Sequence, residues 1–207
     1  MPLRSPGEGK SRLAGTLSVE GRAALAGAML ADVVAALTSS SVDRIVIAAS
    51  GPAAVAAGSA LGLETVSDPT GVRGLDAALG AAASRLGTVG TLLVVAADLP
   101  RLQRGDVEAV LGTDAAVVVA PTIDGGTGGL LRRPGHIIAT AYGPGSARRH
   151  LSTARDAGLR AERRDAPGFA YDVDVAADLV ALRDVGGPPL GARTAALLEQ
   201  LDVADAG

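Results

Sequence analysis

The stretch "TLLVVAADLP" at 91–100 constrains this chain more than any other. Consecutive Leu and Val residues leave no polar face, so a strand built from them must be covered on both sides. "DRIVIAAS" (43–50) and "AAVVVAPT" (115–122) share that character, and "LETVSD" (63–68) is a shorter strand. Between them lie segments of helical period at 18–38, 52–62, 74–87 and 103–111. Ser18 is placed to cap the first, with Glu20 in its opening turn, and Pro52 opens the second. Buried strands alternating with helices predict an α/β fold with a mostly parallel central sheet and right-handed crossovers. Past residue 123 the rhythm breaks. "DGGTGG" leads to "LLRRP", and a helix is expected from about Ser146. "YDVDVAADLVALRDV" reads as a strand end turning into a helix, and 191–201 as a C-terminal amphipathic helix. The 207 residues suit one domain, with 1–12 as an N-terminal arm and 186–207 as a linker and helix. A doubly wound domain should open on a strand, yet only "MPLR" precedes the first loop, so either the first strand is shortened to a stub or the start codon lies too late.

With one Phe, two Tyr and no Trp, the core must be built from Ala, Val and Leu. Zero cysteines exclude disulfides, thiolate nucleophiles and Cys-ligated metals, and two histidines exclude a His-rich metal site. Any metal would be held by carboxylates, which favours Mg or Mn. A net charge of −3 argues against a basic nucleic-acid face, and stacking aromatics for single strands are lacking. No apolar run reads as long enough to span a bilayer and no signal-peptide core opens the chain, so a cytoplasmic protein without membrane partners is expected.

"PGEGKS" near the start imitates the end of a P-loop, but the spacing is wrong. The glycine required five residues before Gly9 is Arg4, and three residues are too few for the strand that should feed such a loop. What remains is a Gly- and Pro-rich arm carrying Arg4, Lys10 and Arg12. It suits a triphosphate, or else three solvated charges on a terminus.

Asp98 ends the strongest strand, where ligands of open parallel sheets bind. It can hold a divalent cation, or it can cap the helix that follows. Asp172 and Asp174 alternate onto one face of an extended segment and would repel unless a cation or solvent intervenes. Taken alone, Asp174 as a helix cap explains them; together with Asp98 they outline a shared Mg site. "DGGTGG" (124–129) and "GPGS" (143–146) are small-residue loops whose amides can approach an anion, and Ser146 adds a hydroxyl at a helix start. Ordinary turn chemistry explains them equally well.

In order, "GKSRLAG", "VVAADLPRL", "DGGTGGLL", "YGPGSARRH" and "YDVDVAADL" resemble the CofC/FbiD family. Its members are the 2-phospholactate or phosphoenolpyruvate guanylyltransferases of coenzyme F-420 biosynthesis. The resemblance covers roughly residues 2–183. It implies a Rossmann-like, MobA-like nucleotidyltransferase domain with a small β insertion around the acceptor site. It implies joining of GMP from GTP to a phosphorylated three-carbon acid, with release of pyrophosphate. By motif position Asp98, Asp172 and Asp174 would hold Mg (or Mn), Arg4, Lys10 and Arg12 would meet the triphosphate, and Thr127, Gly143 and Ser146 would bind the phospho-acid. Gly74 and Asp76 stand where the family has Gly-Leu-Asn near the base, and a carboxylate there can pair with guanine N1 and N2. The chain also has Arg4 in place of the usual Lys, and Gly128 where many relatives carry Asn. The implied partners are the small-molecule substrates, the downstream transferase of the pathway by hand-off, and a second copy in a homodimer. Two other readings keep the fold: a catalytically silent paralogue binding nucleotide or a partner enzyme, and a MobA-like nucleotidyltransferase for a molybdopterin-type cofactor.

Overall fold

A computed structural model describes residues 1–4, 10–68, 74–87, 90–183 and 187–205. Strands β1 (Pro2–Arg4), β2 (Val46–Ser50) and β3 (Glu64–Ser67) form one sheet in the order β1-β2-β3, parallel throughout. Strands β4 (Leu92–Val95), β5 (Val117–Pro121), β6 (Thr127–Arg132) and β7 (Ala161–Arg163) form a second, in the order β4-β6-β5-β7. Here β6 runs antiparallel between β4 and β5, whereas β7 is parallel to β5. The break in rhythm after residue 123 thus corresponds to a hairpin that returns β6 into the sheet. β7 carries no apolar run and left no trace in the sequence pattern.

The helices are α1 (Val19–Thr38), α2 (Pro52–Ala60), α3 (Leu75–Leu86), α4 (Arg104–Leu111), α5 (Ser146–Asp156), α6 (Ala176–Arg183) and α7 (Ala192–Asp205). Ser18 caps α1 as expected, its Oγ accepting from the Gly21 amide at 3.0 Å. The second sheet is covered on both faces. Val95, Val118 and Leu131 point toward α1, α4 and Phe169, while Val94, Val117, Val119 and Leu130 point toward α3 and α5. All residues of β5 and β6 are buried, the reason their sequences lack polar alternation.

The only Phe of the chain, Phe169, is fully buried in a 3-10 turn (Pro167–Phe169). Its ring lies on Gly129, where a Cβ would stand 2.7 Å from ring Cε1, and its backbone carbonyl crowds Gly128. These two glycines of "DGGTGG" therefore serve packing. The turn itself is made by Gly125, whose φ of 86° lies in the left-handed region.

By length and composition α1 is apolar enough to cross a membrane, which corrects the reading of the bare sequence. In the fold 56% of that apolar window is buried. Leu25 and Met29 pack with Leu179, Leu182 and Leu198 of α6 and α7. Buried Asp32 of α1 accepts from the amides of Arg193 (3.1 Å) and Thr194 (2.8 Å), capping α7 from a distant part of the chain. Such contacts are those of a core helix.

Candidate active site

Two clusters meet at the carboxyl end of β4. The first is centred on Lys10, whose backbone sits at φ 61°, a left-handed conformation that non-glycine residues seldom adopt. Its ammonium bonds closely to Asp98 and lies 3.0 Å from Asp174 Oδ1. Burial pulls the Lys10 pKa down, but the two carboxylates outweigh it and hold it above the ordinary lysine value. Asp98 does not cap α4. That helix has its own capping box, in which Gln103 and Asp106 satisfy each other's backbone amides.

Asp172 and Asp174 flank Val173, which is fully buried, so the expected alternation places both acids on the outer side of an extended segment. No strand forms there. Asp178, not Asp174, caps α6, its Oδ2 accepting from the amides of Asp174 (2.7 Å) and Val175 (2.8 Å). Asp174 is thereby free to face Lys10. Burial and the charges of Asp98, Asp124 and Asp174 push Asp172 up to about 7. Asp124, which the sequence did not single out, accepts from the Thr122 hydroxyl and from the Gly126 amide at 2.9 Å, and these bonds hold its pKa low.

The second cluster is built on Thr127, Ser146 and His150, all buried. Thr127 Oγ1 lies 2.8 Å from Ser146 Oγ and 3.1 Å from His150 Nδ1. His150 Nε2 accepts from the Ala141 amide at 2.8 Å, so the proton of the neutral ring is on Nδ1 and is donated to Thr127. The ring also meets Tyr142 edge-on at a centroid distance of 5.2 Å. Gly143 (φ 106°) and Gly145 (φ 68°) turn the chain into α5 in conformations that other residues rarely adopt. Arg149 closes the turn from below, with Nη2 donating to Ala141 O (3.0 Å) and Tyr142 O (3.1 Å). His150 was legible only as a residue one turn after Ser146 on the same helix face.

The 122–127 turn joins the clusters: Asp124 faces the acids, Gly125 O accepts from Ala147 N at 3.3 Å, and Thr127 begins the hydroxyl pair. Asp76, in the first turn of α3 behind the left-handed Gly74, belongs to the second cluster. Both its carboxylate oxygens accept from the Tyr142 amide, at 3.0 and 3.2 Å. Arg12 is solvent-exposed. The side chain of Arg4 and residues 5–9 of the arm lie outside what the structure describes.

Burial lowers the pKa of His150 to about 4, against 6.5 for a free histidine. The unfolded chain therefore takes up a proton between these values that the native protein refuses, so the His150 contribution to stability should fall as pH drops from about 7 to 4, opposite in sign to that of Asp172, whose raised pKa makes the native state bind its proton first. The loss should approach 3 kcal/mol and level off below pH 4. Urea unfolding at pH 4.5 and 7.5 of the wild type and His150→Leu measures it. Equal pH slopes in the two proteins would refute this placement of the ring.

The architecture has counterparts among solved structures. It superposes on a protein of Desulfovibrio desulfuricans G20 described as a "putative nucleotide-diphospho-sugar transferase", with a TM-score of 0.76, covering 98% of this chain and 93% of that one at 17% identity. It also superposes on CMP:2-keto-3-deoxy-manno-octonic acid synthetase complexed with CTP, with a TM-score of 0.57, 88% and 94% coverage and 16% identity. At such identities the likeness establishes the fold alone. The family model of guanylyl transferase CofC-like proteins matches residues 1–187, and the chain belongs to that family. A phosphoenolpyruvate guanylyltransferase of Streptomyces scabiei is 35% identical over 172 residues, 79% of this chain and 77% of that protein. One from Conexibacter woesei is 38% identical over 117 residues (53% and 52%). A 2-phospho-L-lactate guanylyltransferase of Haloarcula marismortui is 39% identical over 90 residues (44% and 43%). The chain thus spans about half the length, or less, of the last two relatives.

Proposed function

We propose that this chain is a guanylyltransferase that joins GMP from GTP to a phosphorylated three-carbon acid, phosphoenolpyruvate or 2-phospho-L-lactate, in coenzyme F-420 biosynthesis. The reading takes residues 1–207 as one nucleotidyltransferase domain. A phosphate oxygen of the acid attacks the α-phosphorus of GTP, the bond from that phosphorus to the β-phosphate bridging oxygen breaks, and pyrophosphate leaves. The nucleophile is already anionic, so the protein has to position and neutralise charge more than move protons. That suits a site without Cys whose one buried His is held neutral.

The observation that carries the reading is the pairing of the Lys10 cluster with the Thr127–Ser146 hydroxyls across a single turn. In this reading Lys10, with Arg4 and Arg12 of the arm, meets the triphosphate. Thr127, Ser146 and the Gly143 turn receive the phospho-acid, with His150 fixing the Thr127 hydroxyl as an acceptor. By motif position Gly74 and Asp76 are assigned to the guanine base, although Asp76 is tied to the second cluster through the Tyr142 amide.

Among the described residues no three acidic or histidine groups are already gathered at metal-binding spacing, because the Lys10 ammonium lies between Asp98 and Asp174. The donor set nevertheless fits a hard divalent cation: Asp98, Asp172 and Asp174 offer only carboxylate oxygens, and Asp172 is pushed up by burial and by the neighbouring carboxylates. We assign Mg (or Mn) to these three. Once bound it would neutralise phosphate charge.

The test is to incubate the protein and Mg with GTP, CTP or ATP and either acid, and to measure pyrophosphate. Release with GTP and one of the acids is expected. No release with any pair sinks the proposal; release with CTP alone would move the chain to another nucleotidyltransferase activity.

A further inference from the structure

Arg132, the last residue of β6, is 96% buried by its 4% exposure, yet it makes one hydrogen bond, from Nη1 to Ile138 O at 2.8 Å. Its Nε is buried without a partner, and among the described residues no carboxylate pairs with it. The neighbouring Arg133 shows what a satisfied arginine looks like here, donating to the carbonyls of Leu111 (2.7 Å), Thr113 (2.8 Å) and Ala115 (3.1 Å). Desolvation pulls the Arg132 pKa below the ordinary arginine value. A buried cation with unused donors is costly, and the ordinary remedy is an anion.

Arg132 lines a cavity of about 530 Å³ between α3 and the segment 132–140. Ser84, Thr140, His136 and Asp76 contribute polar groups to its wall, and Asp76 is already engaged by the Tyr142 amide at the far end. Arg132 also borders a second cavity, whose lining is mostly apolar and whose other cations are already engaged, Arg44 by Glu64 and Arg133 by the Leu111, Thr113 and Ala115 carbonyls. The unused Nε edge of a guanidinium fork matches the two oxygens of a carboxylate or phosphate. Thr127 and Arg132 stand at opposite ends of β6, five residues and so about 17 Å apart along an extended strand. The cavity thus lies toward the other end of β6 from Thr127 but adjoins the second cluster, since Asp76 lines it and the Arg132 charge reaches Tyr142 and His150.

We propose that this cavity is a second anion site, taking a small carboxylate or phosphate monoester whose oxyanion pairs with Arg132. Its occupant would tie α3 to the segment that continues into Ala141 and Tyr142, the residues on which His150 and Arg149 rest.

The test uses inorganic phosphate and malonate as probes at constant ionic strength, read by thermal unfolding and calorimetric titration. The wild type and Lys10→Met, in which the nucleotide cluster is disabled, should both gain several degrees with saturation. Arg132→Met should lose that gain while being at least as stable as the wild type without a probe. A response to phosphate alone assigns a phosphate ligand, and to malonate alone a carboxylate. Ser84→Trp, which fills the cavity from the exposed side of α3 and leaves Arg132 intact, should abolish the response as well. Equal stabilisation of the wild type and both cavity variants, or none of the wild type by either probe, overturns the proposal.

Discussion

Asp98→Asn should lower pyrophosphate release at saturating GTP and acid by about 100-fold or more, the usual scale for removing one preorganised electrostatic group from a transfer site. The carboxylate sits where β4 delivers it, pairs with Lys10 and contributes to the charge that raises Asp172. Removing its charge takes away a proposed metal oxygen and loosens the lysine aimed at the triphosphate. The fold should survive, because α4 has its own cap and the Asp98 side chain is 26% exposed. Steady-state kinetics together with a circular dichroism melt separate the two effects. Turnover within threefold of the wild type in a folded variant would remove Asp98 from the mechanism.

Phe169→Ala should cost about 3–5 kcal/mol, the range for truncating a buried aromatic side chain, and lower the melting midpoint by roughly 10 °C for a chain of this size. No other aromatic ring is available to fill the space, since the chain has no Trp and its two Tyr residues lie elsewhere. Phe169 packs against Val95, Leu99, Val118 and Leu131, so it joins β4, β5 and β6 to α4. The close approach to Gly129 supplies a second measurement. Gly129→Ala should destabilise the wild type, where its Cβ would meet the ring at 2.7 Å, and should be far milder in the Phe169→Ala background. Additive effects of the two substitutions would show that ring and glycine are not in contact.

Much of the architecture was legible because burial leaves a direct mark on sequence. Strands covered on both faces have to be apolar throughout, and β2, β4 and β5 fall inside the runs that announced them. The start of α1 was legible because capping is local: Ser18 and Gly21 are three residues apart. The strand expected at 171–174 did not form, although its alternation was read correctly, since Val173 is buried without any neighbouring strand to pair with. Its period of two reflects a chain lying on a core surface. Within the opening "PGEGKS" it is Lys10 whose left-handed backbone directs an ammonium into the acids.

Candidate residues were legible one by one, but their company was not. Asp98, Asp172 and Asp174 could each be noticed as acids near a strand end or helix start. That Asp98 leaves helix capping to Gln103, and Asp174 to Asp178, depends on which amides the packed chain brings within reach. The glycines of "DGGTGG" divide by location: Gly125 makes a turn, whereas Gly128 and Gly129 make room for a phenylalanine some forty residues away. His150 acquires its tautomer from Ala141 and Thr127, and Arg132 has no counter-ion among the described residues. Composition, periodicity and local hydrogen bonds act over a few residues, so the sequence by itself determined an α/β chain with an acidic strand end and two small-residue loops. Charge pairing and close packing act through space between distant parts of the chain. Only the tertiary structure could decide that Lys10 meets Asp98 and Asp174, that Thr127 meets Ser146 and His150, and that one turn joins the two.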